Sequence, residues 1–191
     1  THNRQELQGS NSMELPGITY KIILYAVSRV LKHHPVLNAH WMDDKIRYFD
    51  HFTWHGGGYA EGLLVPTIFN ADTKSLAEIA KETKELAAAA QGGSISPDLL
   101  SGATFTVSNL GTLDIEMFTP VINPPQTGIL GLLHGDGPVR PIGDIAVIPV
   151  MALLLDPTDH RRPSEWLAPA SLRFLKELKT VLEHFSALLA E

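Results

Sequence analysis

"ATFTVSNLGTLDIEMFTPVINPPQTGILGLL", residues 103–133, carries two strand-like runs with turn chemistry between them. ATFTVSN at 103–109 and GILGLL at 128–133 read as strands. NLGTLD and NPPQTG between them supply the Asn, Gly and Pro that a chain reversal requires. After the further turn signal HGDGP comes DIAVIPVMALLL at 144–155, long and apolar enough to be buried on both faces or at a subunit contact.

Upstream, residues 17–38 read GITYKIILYAVSRVLKHHPVLN, with Ile23, Val27, Val30 and Leu31 at helical spacing and Pro35 as a stop. His33 and His34 stand at the end of this helix, where positive charge suits the negative pole of the dipole, so a capping role is expected of them instead of metal ligation. KIRYFDHFTWH at 45–55 and GLLVPTIF at 62–69 read as two strands flanking a glycine-rich link at 56–58. A helix is predicted over 75–90: Ser75 and Glu78 make a capping-box pair, Leu76, Ile79, Thr83 and Leu86 share a face, and Gly92 and Gly93 end it. A final helix is predicted from Pro169, with Leu172, Leu175, Leu178 or Lys179, Leu182, Phe185 and Leu189 on one face. Helices and strands mix without strict alternation, which favours an α+β layered sandwich over a doubly wound sheet.

At 191 residues the chain suits one domain, expected over 17–191, with 1–16 as a frayed or truncated end segment. A net charge of −6 with scattered basic residues argues against nucleic acid as a partner. No apolar run is long enough to cross a bilayer, so no membrane partner is expected. The absence of cysteine excludes disulfides, thiolate zinc sites and a cysteine nucleophile.

HGGGY at 55–59 has the look of an esterase oxyanion loop, but no Gly-x-Ser-x-Gly elbow occurs, which leaves a flexible bend as its explanation. His51 and His55 are four apart, yet the residues around them are strand-like, so they are not expected to face a common metal; no metal site is expected elsewhere either. Phosphate-binding and dinucleotide fingerprints are absent. There remains His160, between Asp159 and Arg161 where the apolar stretch ends. A neutral imidazole with an ordinary pKa of about 6.5 could accept a proton there, although a lone loop histidine is more often an idle, solvated residue.

Several stretches together shift that balance. TFTVSNLG (104–111), FTPVINPPQTGILGL (118–132) and Asp159-His160-Arg161, in this order, strongly resemble the catalytic core of dihydrolipoamide acyltransferases of the 2-oxo acid dehydrogenase complexes. Upstream, GITYKIILYAVSRVLKHHPVLNAHW and GLLVPTIFNADTKSLAEIAKETKELA resemble that family's first core helix and its middle strand-helix unit. The resemblance implies a two-layer α+β sandwich like chloramphenicol acetyltransferase, with a mixed sheet packed by helices. It also implies a homotrimer with active sites between subunits, trimers assembling into a larger core, and other subunits of the complex as partners. His160 would then remove the proton from the thiol of coenzyme A or dihydrolipoamide, and Ser108 would donate to the tetrahedral oxyanion, a contact whose loss costs about 3 kcal/mol. Coenzyme A would be a substrate, the lipoyl group would sit on a separate domain, and the setting would be cytoplasm or mitochondrial matrix. Residues that bind the coenzyme are not identified by the resemblance.

The loop after His160 departs from the family pattern Asp-His-Arg-x-x-Asp-Gly. Ser164 stands where the second aspartate is expected and Glu165 where the glycine is, with Pro157 and Pro163 bracketing the loop. A neutral serine cannot match a charge-assisted tether, and glutamate lacks the freedom of glycine. Three functions remain open: a working acyltransferase, a non-catalytic relative serving as scaffold or partner tether, and acyl transfer to a small-molecule hydroxyl. Asn123, Pro124 and Pro125 are expected to shape a turn at a subunit contact, Trp41 and Trp54 to be packing residues, Asp159 to orient the loop, and Arg161 and Arg162 to be a solvated pair.

Overall fold

A 16-residue helix, α1 (Leu15–Val30), opens the fold and runs on through a 3-10 turn at Leu31–His33. The computed structural model describes residues 15–42, 45–56, 65–109, 121–132, 140–142, 145–147 and 164–188. Ile23, Val27, Val30 and Leu31 are all buried, as their spacing predicts. Strand β1 (Ala39–Trp41) pairs antiparallel with β2 (Ile46–Tyr48). Next come β3 (Trp54–Gly56), β4 (Thr67–Ile68) and helix α2 (Leu76–Gln91). Strands β5 (Phe105–Asn109) and β6 (Ile129–Leu132) follow, then an antiparallel pair, β7 (Arg140–Ile142) and β8 (Ile145–Val147). Helix α3 (Ser164–Glu183) and the short α4 (Phe185–Leu188) complete the described residues.

Strands β4, β3, β5 and β6 form a four-stranded mixed sheet in that order, antiparallel between β3 and β4 and parallel across β3, β5 and β6. Side chains alternate across a strand, so β5 has two unlike faces. Phe105 and Val107 join Leu130 and Leu132 of β6 in the core, under α1, α2 and α3. Phe105 stacks edge-on against Phe52 and Phe174 at 5.9 and 6.0 Å. Thr106 and Ser108 face the other way, as does Thr104 just before the strand. The mixed sheet with helices against it is the expected α+β arrangement. Among the described residues, no helix is long and apolar enough to cross a membrane.

The capping box at α2 forms as the sequence indicates: Glu78 N–H donates to Ser75 Oγ at 3.2 Å, and Ser75 N–H to Glu78 Oε2 at 2.7 Å. Gly92 caps the other end. Trp54 is a packing residue, 2% exposed and edge-on to Tyr20 at 6.4 Å.

Three expectations need correction. Residues 45–55 are not one strand: β2 ends at Tyr48 and β3 starts at Trp54 in a different sheet. Side chains take over the backbone between them, Asn38 Nδ2 donating to Phe49 O (2.9 Å) and His51 O (3.2 Å), and Phe52 N–H donating to Asp72 Oδ1 (2.9 Å). The last helix starts at Ser164, before Pro169, which lies inside it and gives up only the backbone donor of one turn. Its buried face is Ala170, Ser171, Phe174 and Leu178, while Leu172 is 68% exposed, because α3 is rotated to set Phe174 between His34 and Phe105. His33 and His34 stand at the helix end as expected, His34 as the C-cap of the 3-10 turn with its N–H donating to Leu31 O. Their rings also donate to the two oxygens of Glu177 on α3, at 2.6 and 2.8 Å. They are structural, and they clamp two helices together as well.

The glycine-rich link beyond Gly56 and all of the apolar stretch at 144–155 except β8 lie outside the described residues. So do Asp159, His160, Arg161 and Arg162.

Candidate active site

The parallel strands β3, β5 and β6 end at Gly56, Asn109 and Leu132, so their carboxyl ends share one edge of the sheet. Ser108, one residue from that edge, is half-buried and sits in register with Gly131 of β6. A glycine there places no side chain beside the hydroxyl. Among the described residues the Ser108 hydroxyl makes no hydrogen bond, so its donor is not committed elsewhere in this part of the fold. Of the two residues expected to do chemistry, Ser108 lies on β5, and His160 lies outside the described residues.

The face of β5 that bears Ser108 is polar and tied down. Thr104 Oγ1 donates to Asn38 Oδ1 at 2.5 Å, and Thr106 Oγ1 donates to Gln126 Oε1 at 2.6 Å. Gln126 Nε2 and His40 Nε2 both donate to the carbonyl of Ala103, at 3.2 and 3.0 Å. The segment carrying Gln126 is laid along β1: Trp41 N–H donates to Pro125 O (2.7 Å) and Thr127 N–H to Ala39 O (3.2 Å). The asparagine-diproline turn is therefore a brace between β1 and β5, closed by Gln126 N–H donating to Asn123 O at 3.0 Å; its second proline follows a cis peptide bond. Reading Asn123, Pro124 and Pro125 as a turn captures the backbone and misses Gln126, whose inward amide is the working part. Counting back two residues from Ser108 reaches Thr106 on the same strand face, a signal available in the sequence.

Away from Ser108, the carboxylates Asp72 and Glu177 both have lowered pKa values. Asp72 is 5% exposed; burial pushes its pKa up, but hydrogen bonds from Phe52 N–H and the His51 ring, with Lys32 nearby, outweigh that and hold it below its ordinary value. Arg29 donates to the backbone carbonyls of Asp72 and Lys74, which ties the same turn to α1. For Glu177 burial also acts upward, and the hydrogen bonds from His33 and His34 lower the pKa overall. Both acids have structural partners, and neither lies on the Ser108 face. Among the described residues no group of three or more His, Asp or Glu could hold a metal ion.

The same architecture recurs in solved proteins. The dihydrolipoamide acetyltransferase of Azotobacter vinelandii superposes with a TM-score of 0.69 at 28% identity, covering 89% of this chain and 70% of that one. A serine, a histidine and an asparagine of that protein have been studied for their role in its catalytic mechanism. The cubic core of a pyruvate dehydrogenase multienzyme complex gives a TM-score of 0.70 at 26% identity, over 96% of this chain and 79% of that one. In sequence, the dihydrolipoyllysine-residue acetyltransferase component of the acetoin cleaving system of Bacillus subtilis (strain 168) is 39% identical over 175 residues. That match takes in 87% of this chain but 42% of the relative, so the chain spans about two fifths of the relative's length. With residues 2–190 matching the family model for 2-oxoacid dehydrogenases acyltransferase (catalytic domain), the chain belongs to that family.

Proposed function

We propose that this chain is the acyltransferase core of a 2-oxo acid dehydrogenase complex, moving an acyl group between dihydrolipoamide and coenzyme A. The observation that carries this is the match of residues 2–190 to the family's catalytic domain, with Ser108 near the carboxyl end of β5. His160 acts as general base: its imidazole takes the proton of the attacking thiol, and the thiolate adds to the thioester carbonyl. The resulting tetrahedral oxyanion accepts a hydrogen bond from Ser108 Oγ, an interaction made only as charge develops. Collapse expels the second sulfur as a thiolate, which recovers the proton from the imidazolium. Coenzyme A is a substrate here, and the lipoyl group arrives on a separate domain.

The working form is a homotrimer of chloramphenicol-acetyltransferase-like two-layer sandwiches, with residues 17–191 as one core domain and 1–16 as an end segment. Each site lies between two subunits, trimers build a larger core that binds the other subunits of the complex, and the setting is cytoplasm or mitochondrial matrix. Support comes from the multienzyme cores among the structural relatives. Ser164 and Glu165, which begin α3, replace the family's aspartate and glycine without removing either reacting group.

Exchange of acetyl between acetyl-CoA and dihydrolipoamide by the purified protein tests this directly. Turnover is expected, His160→Ala abolishes it, and Ser108→Ala lowers kcat by roughly 100- to 1000-fold. No exchange by the wild-type protein refutes the activity.

A further inference from the structure

We infer that Gln126 is a positioning residue for Ser108, holding the serine's strand face in place through Thr106; this rests on the acyltransferase reading of the site. Gln126 is 2% exposed, and its amide bridges the entry to β5: Oε1 accepts from Thr106 Oγ1, the strand's second residue, at 2.6 Å, while Nε2 donates to Ala103 O, just before the strand, at 3.2 Å. Thr106 precedes Ser108 by two positions, so the two side chains leave the strand on the same face, about 7 Å apart along it. The amide is itself held. An isolated bridge joins Gln126 to His40 of β1, and Thr127 Oγ1 donates to Val36 O at 2.8 Å. His40 shares the Ala103 carbonyl with the amide and packs edge-on against Phe49 at 4.5 Å.

The geometry makes Gln126 the one side chain among these that touches both the residue leading into β5 and a side chain on the Ser108 face of the strand. With β6 contributing Gly131 next to Ser108, the serine receives no side-chain support from that flank. Pairing with β6 holds its backbone laterally, and the amide fixes Thr106, the polar side chain two positions before it on the same strand face. A hydroxyl that must meet an oxyanion at hydrogen-bond distance is sensitive to small displacements, and a shift of about 1 Å can cost a hundredfold in rate.

The test is a double-mutant cycle on kcat for acetyl exchange, using the purified full chain, with KM for both substrates and thermal melting measured for every variant. Gln126→Ala is expected to lower kcat roughly 10- to 100-fold with KM nearly unchanged. In the Ser108→Ala background the same substitution is expected to change kcat less than about twofold, because the residue it positions is gone. Thr106→Val, which removes one bond of the amide, is expected to behave like a milder Gln126→Ala, and Thr106→Ser to return the rate to the wild-type level; this pair decides the matter if Gln126→Ala does not fold. Penalties that multiply in the double variant, or a loss of melting temperature with kcat kept, overturn the role of Gln126 alone. If the wild type turns over but Ser108→Ala is silent, the donor role of Ser108 falls and that of Gln126 with it. If the wild type does not turn over at all, the acyltransferase function itself is refuted.

Discussion

Replacing Asp72 by Asn should destabilise the protein by about 2 kcal/mol at neutral pH, and the penalty should vanish in acid. Asp72 Oδ1 accepts Phe52 N–H at 2.9 Å in a buried setting, a charge-assisted bond worth about 1.5–3 kcal/mol. Its other oxygen faces His51 Nδ1 at 3.3 Å and Lys32 Nζ at 3.7 Å, but those side chains are 57% and 48% exposed. Solvent screening holds each of these two contacts below about 1 kcal/mol. Asparagine keeps one carbonyl acceptor for Phe52 and turns an NH2 group toward two donors, so part of the first contact survives and the others are lost. The sign of the pH effect follows from the lowered pKa: the unfolded chain takes up the proton first as pH falls. The stabilisation is therefore complete above about pH 5 and disappears as pH drops through the folded-state value, below the ordinary carboxylate range near 4. Urea unfolding at one fixed protein concentration, at several pH values from 7 downward, measures the difference. A difference below about 0.5 kcal/mol at pH 7, or one that grows toward acid, would refute the assignment of this carboxylate as the buried anchor of its turn.

Three further outcomes follow from the same contacts. Phe174→Ala, at a fully buried ring touching His34 and Phe105, should cost about 3–5 kcal/mol in chemical denaturation, against a small change for Leu172→Ala on the exposed side of the same helix. Ser75→Ala removes the capping box of α2 and should cost about 1 kcal/mol, while Ser75→Gly should cost a few tenths, both readable as shifts in the urea midpoint. Glu177→Gln loosens the clamp on His33 and His34; with the carboxylate 35% exposed, screening limits the loss to about 1 kcal/mol or less near pH 6. Because the Glu177 pKa is lowered, that loss should fade as pH drops below the ordinary carboxylate range, and a loss undiminished by acid would count against the clamp.

The α+β class, the strands that become β5 and β6, and the helices are legible in the chain before any coordinates, while the order of strands in the sheet is not. Helix α2 is the clearest case, since Ser75 and Glu78 sit within a single turn and need no distant partner to form their box. The NPPQTG turn is equally local, because its backbone is set by the residues that compose it. The motif around Ser108 marks it in the sequence, and strand alternation assigns it a face.

Other features answer to partners far along the chain. The break between β2 and β3 exists because Asn38 and Asp72 claim the backbone of residues 49–52, and nothing within KIRYFDHFTWH announces those two side chains. Leu172 and Phe174 are both good candidates for a buried helix face by periodicity; the rotation of α3 against α1 and β5 buries one and exposes the other. His33 and His34 meet Glu177 across more than 140 residues, and Gln126 reaches Thr106 across 20. Amino-acid order encodes interactions that close within a turn or along one strand, because their geometry is supplied by the local backbone itself. Contacts between separate elements depend on how those elements pack, and packing is a property of the whole core at once.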